Sequence, residues 1–408
     1  MRRGCFAKAP PRKHHARVAR REALWGPEGR GPWRAWAYAQ GPAAGSGKIM
    51  QRKGVTAGMG GKIDIKSMTL AELTEGFAAL GLPKFRAGQV FRWLHKAGVR
   101  GFDGMSDLPK GLREQLAGQY EVLHAEPVGR RVSKIDGTIK YLFRLHDGEH
   151  VESVVMRYHY GNSICISTQV GCKMGCSFCA TGKSGFSRDL SPSEILSQVQ
   201  SGSIDIGERI SHIVLMGMGE PLDNYENVLR FLELASCREG LDMGMRHISL
   251  STCGIVDKIY DLADRKLQLT LSVSLHAPND RIRGRTMPVN KKWGVEELLA
   301  ACRYYAKTTG RRISFEYAMI SGVNDSGQCA EELGRRLRGM LAHVNLIPVN
   351  DVTGTGYQKS GIGRQKRFVS ILQQHGITAT VRRTLGADIE ASCGQLRRKY
   401  EGGNGHEG

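Results

Sequence analysis

The chain has 408 residues, of which 40% are hydrophobic and 24% charged, a composition typical of a soluble globular protein with a large core and one or two smaller parts. No apolar run is long enough to span a membrane, and ten cysteines in a chain without a secretory signal favour a metal site in the reducing cytoplasm over a disulfide framework. The formal net charge of +20 exceeds what solubility requires, so nucleic acid is the favoured class of partner.

Residues 1–64 form a basic extension that we expect to be disordered. The segment is rich in Arg, Gly, Ala and Pro, lacks helical or strand periodicity, and carries about half of the excess positive charge. Its Trp25, Trp33 and Trp36 alternate with arginines, a pattern that suits stacking on RNA bases. A targeting peptide, or a start codon assigned too far upstream, explains the segment equally well.

Residues 65–120 predict a small helical module. Leu70, Leu73, Phe77 and Leu80 recur at helical spacing, which places them on one face of a helix. With a basic chain around it, we expect this module to bind RNA.

Residues 121–160 predict a small antiparallel sheet. Alternating apolar and polar residues at 138–145 and 150–156 are typical of strands, and Asp136-Gly137 and Asp147-Gly148 are hairpin turn signals.

Residues 161–385 alternate apolar strands with helical segments, a pattern that predicts an α/β core with a partial parallel (β/α)6 barrel. Residues 386–408 would form a C-terminal segment with a flexible tail. The expected strands are Ile164 to Ser167, His212 to Met216, His247 to Ser251, Leu269 to Ser274, Ile313 to Met319, Val344 to Pro348 and Ile377 to Val381.

A C-x3-C-x2-C motif follows the first of these strands and contains Cys172, Cys176 and Cys179. A structural zinc site needs a fourth ligand nearby, whereas an iron-sulfur cluster held by three thiolates leaves one iron open to another ligand. The motif therefore favours an iron-sulfur cluster over zinc.

A second glycine-containing motif, residues 217–221 (GMGEP), lies about forty residues after the cysteines. Gly219 allows close approach of a ligand to the backbone, and the Glu220 carboxylate can accept hydrogen bonds from an ammonium group. Polar residues also follow other strands, where parallel barrels build their active sites. These positions are Ser251, the segment Ser274-Leu275-His276, whose central residue is apolar, and Asn350; each alone is more often a core or turn residue with its hydrogen bonds satisfied.

Two further cysteines stand out by position: Cys165 on the strand before the cluster loop and Cys393 near the end of the chain. A lone cysteine is usually a small buried apolar residue, and we interpret Cys237, Cys253, Cys302 and Cys329 in this way. Cys165 and Cys393 could instead meet at the barrel mouth as nucleophile and resolving thiol. Composition alone leaves both interpretations open.

The cysteine motif resembles that of the radical SAM superfamily, in which S-adenosylmethionine (SAM) chelates the open iron. From about Thr69 to Tyr400 the chain resembles one family within it, the RlmN and Cfr RNA methyltransferases. The most specific stretches are 151–154 (VESV), 169–172 (QVGC), 216–222, 272–278, 345–350 (NLIPVN) and 393–396 (CGQL).

This resemblance implies site residues as well as cofactors. Cys172, Cys176 and Cys179 would hold one 4Fe-4S cluster. Cys393 would be the cysteine that becomes methylated and bonds to the RNA base, Cys165 its disulfide partner, and Glu152 the general base. The residues expected to contact SAM are Gly219, Glu220, Ser251, Ser274, Leu275, His276 and Asn350.

The resemblance also implies an activity, methylation of C2 of an adenine in 23S rRNA, in the peptidyl transferase region, and of the adenosine 3′ to the anticodon in tRNA. Two SAM molecules would be used for each methyl group, and flavodoxin or ferredoxin would donate electrons. We expect a cytoplasmic monomer. A radical route is needed because the adenine C2 carbon is a poor nucleophile and ordinary alkylation by SAM would fail.

Two alternatives stay open at this point. A Cfr-like enzyme that methylates C8 of adenine shares nearly all of these motifs, and the helical module and flanking motifs favour C2. A noncatalytic iron-sulfur or zinc protein that binds RNA would explain the charge and the thiol cluster, although it leaves Glu220, Cys165 and Cys393 without a role.

Overall fold

The computed structural model describes residues 61–349, 356–389 and 391. The predicted basic extension therefore lies outside the described residues apart from its last four positions. Two of the expected site residues, Asn350 and Cys393, also lie outside them.

An N-terminal helical module occupies residues 63–121. Its first helix begins with a capping box in which Thr69 and Glu72 each bond the other's backbone N–H. Leu73 and Phe77 of that helix are fully buried in the module's own core. The elements are β1 (Ile63–Asp64), α1 (Leu70–Ala79), α2 (Lys84–Arg92), α3 (Lys110–Gln119) and β2 (Tyr120–Glu121), with β1 and β2 paired in parallel.

One sheet of ten strands forms the framework of the remaining chain, and its seven parallel strands confirm the predicted α/β class. Its order is β14-β13-β12-β11-β10-β9-β6-β5-β4-β3. The bounds are β3 (Glu126–Val132), β4 (Ile139–Arg144), β5 (His150–Tyr158), β6 (Gly161–Cys165), β9 (Ile210–Leu215), β10 (Ile248–Thr252), β11 (Thr270–Ser274), β12 (Ile313–Met319), β13 (Ala342–Pro348) and β14 (Thr378–Val381). A separate antiparallel pair is formed by β7 (Gln169–Gly171) and β8 (Phe186–Asp189).

The antiparallel strands β3, β4 and β5 differ from their prediction because they do not make a separate small sheet. A tight turn between Tyr158 and Gly161 pairs β5 with β6, the first parallel strand, so the three strands extend the main sheet. Gly161 has φ +124°, a backbone angle that residues other than glycine rarely adopt. The extension covers the edge that β6 would otherwise expose.

Helices alternate with the parallel strands along the chain, as expected for βα repeats. Their bounds are α4 (Ala180–Lys183), α5 (Pro192–Ile206), α6 (Tyr225–Ser236), α7 (Val256–Asp264), α8 (Asp280–Thr286), α9 (Val295–Thr309), α10 (Gly327–Leu337) and α11 (Ile362–Gln374). Within the described part of the chain, none of the helices has the length and apolar character needed to cross a membrane.

Candidate active site at the carboxyl ends of the strands

The three motif cysteines lie in a tight loop between β7 and α4. Gly171 starts the loop at φ +78°, and a Cβ there would lie 2.0 Å from the backbone oxygen of Gly185. The Cys172 N–H donates to that same oxygen at 2.8 Å. Further along, the Cys179 N–H donates to the Cys176 carbonyl at 3.1 Å, which folds the second half of the motif into a turn. All three thiols are partly exposed.

A negative charge on one of these sulfur atoms makes ionisation of the other thiols less favourable. Burial, followed by smaller effects of the neighbouring Glu220 and Cys179, raises the pKa of Cys172 to about 12. The pKa of Cys176 is raised for the same reason, first by burial and then by Cys179 and Cys172. Such a group favours thiolates only when a cation joins it, because metal binding removes the proton and neutralises the charge.

The donor set therefore fits an iron-sulfur cluster, which thiolates hold in proteins. Among residues 61–349, 356–389 and 391, no three His, Cys, Asp or Glu side chains form a group that could hold a single metal ion. The fit accordingly rests on the type, the order and the mutual electrostatic effect of the three thiols.

The glycines of the GMGEP loop lie directly against the strand that leads to the cysteines. A Cβ on Gly217 would lie 2.5 Å from the Ile166 carbonyl oxygen, and one on Gly219, at φ +98°, would lie 2.5 Å from Cβ of Gln169. The Met218 carbonyl accepts from the N–H groups of Thr168 and Gln169 at 2.8 and 3.2 Å. Only glycine permits this contact, so the loop and the cluster motif are held as one unit.

Glu220 is buried behind this loop. Its two carboxylate oxygens accept from the backbone N–H groups of Leu222 at 3.0 Å and Cys253 at 2.7 Å. Burial raises the pKa of Glu220, and these hydrogen bonds oppose the rise. Each carboxylate oxygen has a second lone pair, so the group can still accept from a ligand ammonium.

Ser274, Leu275 and His276 lie where β11 ends, and Ser251 is buried near the end of neighbouring β10. The N–H groups of Leu275 and His276 both donate to the Glu316 carbonyl, at 3.1 and 3.2 Å. This contact turns the chain away from the sheet.

His276 adopts φ +54°, a left-handed conformation that is uncommon for histidine and is often found at functional sites. Its Nδ1 accepts from the Ala318 N–H at 2.9 Å, which assigns the proton to Nε2. Burial, with a smaller effect of the Arg283 charge, lowers the pKa of His276 to about 3, so the ring is neutral. Phe178 of the cysteine loop packs edge-on against the ring with centroids 4.8 Å apart.

Glu152 forms a buried ion pair on β5. Its carboxylate lies 3.0 Å from the Nζ of Lys140 on β4, and both side chains are at most 1% exposed. The Glu152 carbonyl accepts from the Ser167 hydroxyl at 2.6 Å, and that hydroxyl accepts from the Met218 N–H at 3.0 Å. The strand that carries Glu152 is therefore bonded to the GMGEP loop.

Cys165 lies on the same sheet face as Glu152. It pairs with Val154 on β5, and Glu152 and Val154 are two residues apart and so point to one side. Cys165 is 8% exposed and packs in a small apolar cluster whose partners include Leu385 and Ala391. Ala391 is two residues before Cys393 in the sequence.

The sequence alone does not indicate what three further residues do at the site. Gln169 is fully buried and bridges the Glu220 N–H to the carboxylates of Asp189 and Asp223 at 2.8 Å. Lys140 looks like an ordinary charged strand residue, and Arg283 like a charged helix residue. Their roles depend on burial and register, which the spacing of residues does not reveal.

Two family models match parts of the chain. Residues 63–122 match the ribosomal RNA large subunit methyltransferase N-terminal domain, and residues 166–331 match the radical SAM superfamily. The first match covers the helical module, and the second covers the cysteine motif, the GMGEP loop and the ends of β10 and β11.

Curated relatives extend the similarity over most of the chain. Probable dual-specificity RNA methyltransferase RlmN proteins are 52% identical in Alkaliphilus oremlandii and 50% identical in Lachnospira eligens. Each alignment covers 83% of this chain, with 98% and 96% of the respective relative. A crystal structure of a radical SAM methyltransferase from Sphaerobacter thermophilus is 46% identical and superposes with a TM-score of 0.78, covering 81% of this chain and 98% of that one.

Proposed function

Because this chain belongs to the RlmN family of radical SAM RNA methyltransferases, we propose that it methylates C2 of an adenine in 23S rRNA and of the adenosine 3′ to the anticodon in tRNA. The rRNA target would lie in the peptidyl transferase region. The observation that carries the proposal is the sharing of one sheet face by Glu152 and Cys165, with Ala391 packed beside Cys165. A base, a thiol and the segment leading to a second thiol are what this chemistry requires.

The enzyme uses a 4Fe-4S cluster and SAM as cofactors. When bound, they supply a carbon radical that is strong enough to take hydrogen from an unactivated methyl group. In our proposal Cys172, Cys176 and Cys179 hold the cluster. The residues that would hold SAM are Gly219, Glu220, Ser251, Ser274, Leu275, His276 and Asn350.

Cys393 would carry the methyl group to the base. Its sulfur would first be methylated, and the methyl carbon, after losing a hydrogen atom, would bond to C2 of adenine while still attached to sulfur. Two SAM molecules would therefore be used for each product, one as methyl donor and one as radical source. Ala391 supports this assignment, because it lies two residues before Cys393 and packs in the apolar cluster that contains Cys165.

Glu152 would act as the general base that removes the proton from C2. Lys140 supports this role, since its ammonium group lies 3.0 Å from the buried carboxylate and holds it in place. Once the adduct had passed its unpaired electron back to the oxidised cluster, the thiolate of Cys165 would attack the sulfur of Cys393. A disulfide would form, the carbon–sulfur bond to the base would break with its electron pair on carbon, and that carbon would take up a proton to become the methyl group. The disulfide is transient, and an external thiol or reductase must reduce it before the next turnover.

The helical module is the part that we propose to bind RNA. Its helix α2 exposes Lys84 and Arg92, and Phe85 is 60% exposed with the Arg86 guanidinium 4.8 Å from its ring centroid. An exposed aromatic ring flanked by cations suits stacking on an unpaired base and contact with phosphate. We place the enzyme in the cytoplasm as a monomer that receives electrons from flavodoxin or ferredoxin.

The decisive experiment is the identification of the product. The full chain, reconstituted anaerobically with iron and sulfide, is incubated with a 23S rRNA fragment or tRNA, SAM and a reductant. The digested RNA is then compared by mass spectrometry with C2- and C8-methyladenosine standards. We expect 2-methyladenosine in both RNAs, with one S-adenosylhomocysteine and one deoxyadenosine formed per methyl group.

Each other outcome has a defined meaning. 8-Methyladenosine would replace the proposal with a Cfr-like activity, and no methyladenosine from cluster-loaded protein would support a noncatalytic RNA-binding role. The matched controls are Cys176→Ala, which should remove both the cluster and the product, and Cys302→Ala. Cys302 is fully buried in α9 and takes no part in the proposed site, so its loss should preserve the product.

A further inference from the structure

Arg283 on α8 has the largest side chain among those that are almost wholly buried in the described part of the protein. A guanidinium is always charged under ordinary conditions, so the fold places a full positive charge where water does not reach. The proposed mechanism gives this residue no role.

The hydrogen bonds of Arg283 all end on neutral acceptors. Its Nε donates to the Leu275 carbonyl at 3.2 Å, and its Nη2 donates to the carbonyls of Cys253 and Ser274. Its Nη1 donates to Oδ1 of Asn290 at 3.1 Å and more weakly to the Trp293 carbonyl. All of these acceptors are neutral, and no carboxylate among the described residues forms an ion pair with Arg283.

Such an arrangement is costly unless negative charge arrives from elsewhere. Removing a cation from water is costly even after the surrounding protein has relaxed, and carbonyl oxygens recover only part of that cost. Backbone carbonyls could be satisfied as well by water or by a neutral amide donor. The choice of a permanently charged side chain therefore points to a negative group nearby.

The cysteine loop, which would carry negative charge with the proposed cluster bound, lies against the end of the same helix. The Ser177 N–H, between Cys176 and Cys179, donates to the carbonyl of Thr286 at the end of α8, at 2.9 Å. The same loop lies against the segment that follows α8 at a second point, since a Cβ on Gly175 would lie 3.7 Å from Cγ of Pro288.

We propose that Arg283 is the built-in counter-charge of the iron-sulfur cluster and raises its reduction potential. Three thiolates give the bound cluster a net negative charge, and reduction adds another, so a fixed cation favours the reduced form. In a buried site this attraction is weakly screened. The bonds to the ends of β10 and β11 fix the guanidinium in position, and Arg283 therefore acts through the cluster rather than on the substrate.

The test measures the reduction potential of the cluster in the full, anaerobically reconstituted protein by redox titration followed by electron paramagnetic resonance. Arg283→Met removes the charge, Arg283→Lys keeps it, and Asn290→Asp places a carboxylate on the guanidinium with almost no change in shape. We expect Arg283→Met and Asn290→Asp to lower the equilibrium constant for reduction at least tenfold, which is about 59 mV for one electron. Arg283→Lys should stay much closer to the wild type.

A surface substitution with the same charge change is the matched control. Gln119→Glu lies exposed at the end of α3 in the helical module, where solvent screens it, and should leave the potential unchanged. If Arg283→Met does not fold, Asn290→Asp still decides the matter, because it leaves Arg283 and its bonds in place.

The inference rests on the proposed cluster site, and the two can fail separately. Wild-type protein without a four-iron signal would refute the cluster site itself. A normal signal with unchanged potential in Asn290→Asp and Arg283→Met would refute only the role of Arg283. An equal shift in Arg283→Lys and Arg283→Met would also refute it, because the change would then follow from lost structure and not from lost charge.

Discussion

The Lys140 ammonium and the Glu152 carboxylate meet at 3.0 Å on neighbouring antiparallel strands, and neither side chain is more than 1% exposed. The two residues are not directly opposite each other in the sheet: Lys140 is opposite Val154, and Glu152 is opposite Leu142. A buried ion pair is seldom the most stable way to fill such a space. Its position beside Cys165 therefore favours a chemical role for the carboxylate, with the lysine holding it in place.

Breaking this pair on one side should destabilise the protein strongly. Lys140→Met leaves a buried carboxylate without its cation and is expected to cost about 3–5 kcal/mol in the free energy of unfolding. Adding Glu152→Gln should recover part of that loss, because the unpaired charge is then gone. Urea unfolding of identically prepared, cluster-loaded proteins measures both effects.

The exposed ion pair Arg157–Glu208 is the control for these substitutions of the buried pair. Its side chains are about half exposed and 3.0 Å apart, so Arg157→Met should cost no more than about 1 kcal/mol. Additive losses from Lys140→Met and Glu152→Gln would show that the two charges do not depend on each other.

The two proposed thiols should fail at different stages. Cys393→Ala should abolish methyl transfer while sparing the iron content, because the residue that carries the methyl group is lost. Cys165→Ala should instead accumulate protein crosslinked to RNA, since the thiol that resolves the adduct is missing. Denaturing gels with labelled RNA and iron analysis separate these outcomes, with Cys302→Ala as the control. Full turnover in either variant would reject its assigned role.

The parallel strands could be predicted from the sequence because their pattern is local. The apolar run of β12, for example, has the bounds Ile313–Met319 in both the prediction and the structure. The extension of the sheet by β3 to β5 could not be predicted. Alternation reveals that a segment is a strand, but it does not say which edge the strand will join.

The residues of the site likewise divide into those that the sequence indicates and those that it does not. The cysteine motif and the GMGEP loop are contiguous stretches with their own spacing, so the sequence alone indicates them. Lys140 and Arg283 matter through contacts with residues that are distant in the chain or that fold over them. A charged residue in an alternating strand is usually on the solvent side, and only the register shows that Lys140 is not.

Gly219 of the GMGEP loop is expected to be irreplaceable. Gly219→Ala would put a Cβ 2.5 Å from Cβ of Gln169 at φ +98°. Backbone strain and overpacking should together cost about 2–6 kcal/mol and displace Glu220. Equilibrium binding of SAM should weaken at least tenfold, and thermal unfolding should show the lost stability.

Gly88→Ala is the matched control for this substitution. Gly88 lies within α2, and a Cβ there would have no neighbouring atom within 4 Å. Alanine should stabilise the helix by about 0.4–1 kcal/mol and leave SAM binding unchanged. Equal SAM affinity in Gly219→Ala and Gly88→Ala would show that the loop does not bind the cofactor in the way proposed.

Acid should destabilise the helical module through His95. This side chain is fully buried, its ring stacks on Phe91 at 4.1 Å, and neither ring nitrogen has a hydrogen-bond partner in the described structure. Burial lowers the pKa of His95 to about 3, with a smaller effect of Lys66, from an ordinary value of 6.5. Between these values the unfolded chain binds a proton that the folded chain does not, so stability falls as the pH drops below 6.5.

His95→Phe keeps a ring in the same space and removes the proton-binding group. At pH 5 it should gain about 2 kcal/mol over the wild type from this effect, and at pH 8 that gain should vanish because histidine is then neutral in both states. Urea unfolding at the two pH values measures the difference, and the exposed His159→Phe serves as the control, for which no pH-dependent gain is expected. The same gain in stability at both pH values would mean that the phenyl ring packs better than the imidazole, and that protonation of His95 in the unfolded chain does not cause the acid sensitivity.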